Sequence, residues 1–175
     1  MVRTALLPLA LIGVLAWPAV AQEGGQVFRP MDQFVVRPLA DAGLEPYAHA
    51  IASLALWALL MAALLTGSTL GKARARTESG MIVRDYSDPA YRRDRAFRNA
   101  IESNGMFVAA VVACILAGAS PFLTNLLASV FVVARVAMAA VHVFTENQPM
   151  RSAFWSVGAL CILGLAVMGL GAALW

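Results

Sequence analysis

The side chains most able to do chemistry in this sequence are polar groups at helical spacing, within or beside apolar stretches. In chain order they are Arg95, Arg98, Asn99, Glu102, Arg135, His142, Arg151 and Ser152. The spacing puts Arg95, Asn99 and Glu102 on one face of a helix. Arg135 and His142 lie seven residues apart and share a face of another helix in the same way. Charged groups inside a membrane are costly, so they usually face the protein interior and mark function.

These two faces would together form a strongly cationic pocket with one carboxylate, Glu102. Arginine binds carboxylates through paired hydrogen bonds, so the pattern predicts an anionic ligand that carries several carboxylates. A purely structural alternative stays open. In that alternative Glu102 and Arg135 pair with each other, while Arg95 and Arg98 only mark the membrane interface, where arginine side chains are common.

The elements that must position these residues are membrane-spanning helices. Of the 175 residues, 61% are hydrophobic and 13% are charged, whereas a soluble domain has about 25% charged residues. The mean hydropathy of +0.74 likewise excludes an ordinary soluble domain. A spanning helix needs about 20 mostly apolar residues, and we predict spans at Tyr47–Leu70, Gly105–Ala119, Leu123–Phe144 and Ala153–Trp175. The predicted fold is an all-α integral membrane four-helix bundle over residues 47–175.

The amino-terminal segment has the features of a secretory signal peptide. Arg3 precedes an apolar run at Ala5–Trp17, and Ala19-Val20-Ala21 provides a small-residue cleavage site. We expect residues 1–21 to be the signal peptide and residues 22–46, which contain three prolines, to form an irregular exported segment. An uncleaved signal anchor stays an alternative.

The predicted loop 71–98 carries most of the basic residues. They are Lys72, Arg74, Arg76, Arg84, Arg92, Arg93, Arg95 and Arg98. By the positive-inside rule this loop is cytoplasmic, which places the mature amino terminus in the periplasm of a bacterial inner (cytoplasmic) membrane. We attribute the net charge of +3 to this topology and expect no nucleic-acid partner. We expect no metal site either, because Cys114 and Cys161 lie in apolar spans without metal-ligand spacing.

Three short patterns resemble one family. Residues 95–102 are Arg-Ala-Phe-Arg-Asn-Ala-Ile-Glu, which resembles the Arg-Ala-His-x-Asn-x-x-Glu that opens the second helix of the MAPEG superfamily, the membrane-associated proteins in eicosanoid and glutathione metabolism. Residues 134–142 begin with Ala-Arg and end with His, and they resemble that family's third-helix pattern Ala-Arg-x-x-His-x-x-x-Tyr. Arg151 follows nine residues later, where the family often has an arginine.

The resemblance implies a homotrimer that binds glutathione, as cosubstrate, between neighbouring subunits. It implies that Glu102 holds the amino group of glutathione and that arginines hold its carboxylates. The residues assigned to glutathione binding are Arg95, Asn99, Glu102, Arg135 and His142, with Arg98 and Lys72 at the rim.

The resemblance also implies a chemistry, the stabilisation of the glutathione thiolate. A thiol with a pKa of about 8.5 is mostly protonated at neutral pH, and a nearby guanidinium favours the charged form. We assign this role to Arg151, assisted by Ser152 or His142, because an Arg-Ser pair resembles a family branch in which both residues lie beside the sulfur. The thiolate would attack a lipophilic electrophile or hydroperoxide, as in a glutathione transferase or peroxidase.

Three departures from the family pattern leave another function open. Phe97 replaces a frequent histidine, Met138 replaces a polar residue, and His142 stands where several members have a tyrosine. The alternative is a non-catalytic membrane protein of the same type, which binds lipid or stabilises a larger membrane complex.

Overall fold

The structure is a computed structural model, and it describes residues 39, 42–70 and 77–175. A short 3-10 turn at Glu45–Tyr47 leads into helix α1, Ala48–Thr69. Helices α2, Pro89–Leu116, α3, Pro121–Phe144, and α4, Gln148–Leu174, follow. The predicted signal peptide 1–21, most of the predicted exported segment 22–46, and Lys72 lie outside the described residues.

All four helices are long and apolar enough to cross a membrane. Their outer surfaces carry large apolar side chains such as Leu59, Val133 and Leu160, each about two-thirds exposed. Apolar surface of this extent suits contact with lipid rather than water. The predicted all-α membrane four-helix bundle is therefore confirmed, and the chain is a multi-pass membrane protein.

Helix α2 begins before the apolar span predicted at Gly105–Ala119, and also before the charged face that the spacing places on a helix from Arg95. Residues 89–98, expected in the basic loop 71–98, form the first turns of this helix instead. The Asp88 carboxylate accepts a hydrogen bond from the Ala90 N–H at 2.8 Å, and Pro89 occupies the first helical position. A search for apolar runs misses these turns because they are charged. As a result the charged face that starts at Arg95 lies on the same rigid helix as the apolar span.

An aromatic cluster in the core joins the first three helices. Trp57 of α1 packs edge-on against Phe131 of α3, with 5.1 Å between ring centroids, and Phe131 stacks on Phe107 of α2 at 3.8 Å. The Trp57 indole N–H donates to the Asn104 side-chain oxygen at 2.8 Å. This cluster fixes the axial positions of α2 and α3 relative to each other. Arg135 follows Phe131 by one helical turn, so the cluster also positions Arg135.

Candidate functional site

A polar cavity of about 420 Å³ lies where the start of α2, the end of α3 and the start of α4 meet. The segment that precedes α2 closes one side of it. Its lining residues are Tyr86, Arg95, Asn99, Met138, His142, Gln148, Arg151, Ser152, Trp155 and Ser156. Five of the residues chosen from the sequence are thus brought together from three helices: Arg95, Asn99, His142, Arg151 and Ser152.

Two nitrogen atoms in this cavity are buried without a hydrogen-bond partner among the described residues. They are Nη1 of Arg151 and Nδ1 of His142, whose residues are 6% and 5% exposed. An unsatisfied buried polar group costs about 1–3 kcal/mol, and native proteins keep few of them. His142 and Arg151 line the cavity, although these two atoms themselves have almost no accessible surface.

Arg95 and Glu102 form an ion pair on the surface of α2, with 3.0 Å between Nη1 and Oε1. Their side chains are 32% and 56% exposed, and exposed pairs contribute only about 0–1 kcal/mol. Arg95 can therefore exchange Glu102 for another carboxylate at little cost. Glu102 itself does not line the cavity.

Arg135 lies behind the cavity wall and not in it. It is 4% exposed, and its Nη1 donates to the Asn99 side-chain oxygen at 3.0 Å and to the Met138 sulfur at 3.3 Å. Its guanidinium carbon lies 5.2 Å from the centroid of the Phe131 ring. The structural alternative, a Glu102–Arg135 ion pair, is not what forms, since Glu102 pairs with Arg95. Arg135 instead contacts Asn99 and Met138 on their side away from the cavity.

Arg98, assigned to the rim, points to a different place. It pairs with Asp94 at 2.7 Å and lines a separate depression of about 290 Å³ together with Arg84 and Tyr91. Arg95 is shared by both concavities.

Sequence reasoning missed several lining residues, notably Tyr86, Gln148, Trp155 and Ser156. The α4 residues could have been found, because Trp155 and Ser156 follow Arg151 and Ser152 by one helical turn each. Tyr86 gives no such signal, since it lies in a non-helical segment before Pro89.

Gly158 of α4 leaves space for the side chain of Arg135. A Cβ atom at residue 158 would lie 2.9 Å from Arg135 Nε and 3.2 Å from its Cζ. We expect Gly158→Ala to push the guanidinium away from Asn99 and to lower the free energy of unfolding by about 1–3 kcal/mol. Thermal unfolding in detergent measures this effect.

Gly171→Ala is the matched control on the same helix, because a Cβ atom there meets nothing within 4 Å. We expect this variant to be neutral or more stable by roughly 0.5–1 kcal/mol. Equal stability of the two alanine variants would show that the Arg135 side chain can move at little cost.

Comparison with known proteins gives one match. The model of the MAPEG family matches residues 47–171, which include all four helices except the last residues of α4. No curated protein and no solved structure matches the chain.

Proposed function

This chain belongs to the MAPEG family, and on that premise we propose that it binds glutathione and stabilises the thiolate for attack on lipophilic electrophiles or hydroperoxides. The observation that carries the proposal is a polar cavity lined by Arg95 and Arg151, in which Arg151 has no acidic partner among the described residues. A cationic cavity suits a peptide with two carboxylates and an ionisable thiol.

The bound thiolate can take part in two reactions, conjugation and the reduction of a hydroperoxide. Arg151 favours the thiolate over the thiol because a nearby positive charge stabilises the anion. In conjugation the sulfur lone pair forms a bond to an electrophilic carbon, and the leaving group departs with the electrons of its former bond. With a hydroperoxide, two glutathione molecules are oxidised to the disulfide, while the hydroperoxide is reduced to an alcohol and water.

The binding roles combine the family resemblance with the contacts of each residue. Arg95 in the cavity receives a glutathione carboxylate in exchange for Glu102. The resemblance assigns Glu102, which lies outside the cavity, to the amino group of the ligand. Asn99 contributes polar contacts from the cavity wall, held in place by Arg135 at 3.0 Å. Ser152 donates to the sulfur beside Arg151.

We propose a homotrimer in a bacterial inner membrane, with the end of the bundle that holds the cavity on the cytoplasmic side. The homotrimer rests on the resemblance of residues 95–102 and 134–142 to the family. The basic residues around α2 support the cytoplasmic orientation.

Glutathione should stabilise the detergent-solubilised protein against thermal unfolding, because a ligand that binds only the folded state shifts the equilibrium. At a concentration of about 100 times the Kd, the expected gain is about 2.7 kcal/mol. S-methylglutathione tests whether the peptide part alone suffices, and cysteine at the same concentration is the control. An unchanged unfolding temperature with glutathione, together with no conjugation of a chloronitrobenzene, would contradict the proposal.

A second function has its own observation. An apolar groove of about 930 Å³ runs between α2 and α4, with Met106, Ala110, Leu163 and Leu170 among its lining residues. A groove of this kind suits a lipid acyl chain and favours the non-catalytic alternative. Co-purified lipid without glutathione binding would support that alternative.

A further inference from the structure

Tyr86 lies against the residue to which the proposed function gives the central role. Its ring comes from the segment before α2, and Arg151 comes from the first turns of α4. The guanidinium carbon of Arg151 is 4.2 Å from the centroid of the Tyr86 ring. At this distance the cation is in direct contact with the face of the ring, where the attraction between cation and ring acts.

Several contacts hold the Tyr86 ring in place. The Tyr91 ring packs against it edge-on, with 5.1 Å between centroids and 85° between planes. Arg92 Nη1 donates to the backbone oxygen of Tyr86 at 2.7 Å, and Arg92 Nε donates to the backbone oxygen of Val143 at 3.3 Å. Arg92 thereby ties the segment to the end of α3. Tyr86 is fixed to the bundle on two sides and can serve as a support.

An aromatic ring holds an arginine side chain in a different way than a carboxylate does. An acidic partner would occupy the N–H groups of Arg151 and neutralise its charge, whereas a ring contacts only the flat face of the guanidinium. Within the part of the chain that the structure describes, no carboxylate lies within ion-pair distance of Arg151. Its buried Nη1 has no partner there either. Arg151 is therefore held in position while no described carboxylate neutralises its charge.

We infer that Tyr86 is the positioning residue for Arg151, and that it acts through its aromatic ring and not through its hydroxyl group. The ring holds the guanidinium where it meets the glutathione sulfur. This inference rests on the proposed function, and it adds a residue from outside the helices to the site.

The test compares Tyr86→Phe, which keeps the ring, with Tyr86→Leu, which removes it. We expect Tyr86→Leu to lower both the thiolate absorbance of bound glutathione at pH 7 and kcat by about tenfold, a size typical of a desolvated cation–ring contact. The KM for glutathione should change much less, because Arg95 and Asn99 still bind the peptide. Tyr86→Phe should keep the thiolate absorbance and kcat of the wild type, while a change in its KM for glutathione would report the contact of the Tyr86 side chain with Arg95. Tyr86→Met also lacks a ring, and it repeats the test in case the Tyr86→Leu variant does not fold.

A second measurement does not depend on glutathione. Phenylglyoxal modifies accessible arginines, and mass spectrometry reports the rate at Arg151. We expect slow modification in the wild type and in Tyr86→Phe, and modification about tenfold faster in Tyr86→Leu and Tyr86→Met, because loss of the contact releases the guanidinium.

Two results would overturn the inference. If Tyr86→Phe loses the thiolate as fully as Tyr86→Leu does, the hydroxyl group carries the effect. If the non-aromatic variants keep the wild-type labelling rate at Arg151, the ring does not hold that side chain. Absence of glutathione binding by the wild type would contradict the proposed function instead, and the labelling experiment would still decide the role of Tyr86.

Discussion

Arg151→Ala should reduce the turnover of glutathione conjugation by about a hundredfold, since preorganised charge beside a developing anion is worth a few kcal/mol. The structure gives the physical reason. Arg151 is 6% exposed, its face is covered by Tyr86, and its Nη1 has no partner among the described residues. A guanidinium held in this way needs little reorganisation to stabilise the glutathione sulfur.

Glutathione affinity should change far less than turnover, because Arg95 and Asn99 line the same cavity and, in the proposed function, bind other parts of the peptide. The measurements are a thiolate absorbance titration, conjugation of a chloronitrobenzene, and binding by thermal stabilisation. Arg151→Lys is the matched variant, since it keeps the charge but loses the flat face that contacts Tyr86. We expect its turnover to fall between those of the wild type and Arg151→Ala.

Full activity in Arg151→Ala would show that this arginine does not act on the sulfur. A wild type that binds glutathione but gives neither thiolate nor conjugate would mean that His142, in place of the family tyrosine, has cost the protein its chemistry. The non-catalytic function would then take the place of the enzymatic one.

The membrane fold and the family could be predicted from the sequence because both depend on local pattern. Apolar runs identify spans whatever their neighbours, and the motif at 95–102 keeps its spacing without a gap. The family match at residues 47–171 confirms the recognition. The spacing placed the residues from Arg95 onward on a helix, whereas residues 89–94 were not predicted to be helical, because a search for apolar runs does not detect charged turns. The capping sequence Asp88-Pro89 carries that information instead.

The site could be predicted only in part, since helical spacing defines a face but not its depth. Arg135 and His142 share a face, yet His142 lines the cavity while Asn99 and Met138 cover Arg135. Glu102 pairs with Arg95 on its own helix and not with Arg135 across the bundle. These outcomes depend on the packing of α2 against α3, which no single helix encodes.

Trp57→Ala should lower the free energy of unfolding by about 3 kcal/mol, at the lower end of the range for a large aromatic core residue. Trp57 is 1% exposed and contacts the Phe107 and Phe131 rings at 6.0 and 5.1 Å between centroids. Its loss leaves a cavity that these rings cannot fill, and it removes the hydrogen bond to the side-chain oxygen of Asn104. The lower end applies because lipid is as apolar as the core, so lost packing dominates over transfer from water.

Thermal unfolding in detergent measures this loss, and Trp175→Ala is the matched control because Trp175 is fully exposed. That variant should stay within about 0.5 kcal/mol of the wild type. Trp57→Phe should retain part of the stability, since it keeps a ring but leaves Asn104 without its donor.

A gap of about 10 Å³ next to the site is lined by Trp57, Asn99 and Arg135. Its enlargement in Trp57→Ala should therefore also weaken glutathione binding. Wild-type stability in Trp57→Ala would mean that the aromatic cluster does not fix the axial positions of α2 and α3 relative to each other. Other contacts would then have to hold the cavity residues in place.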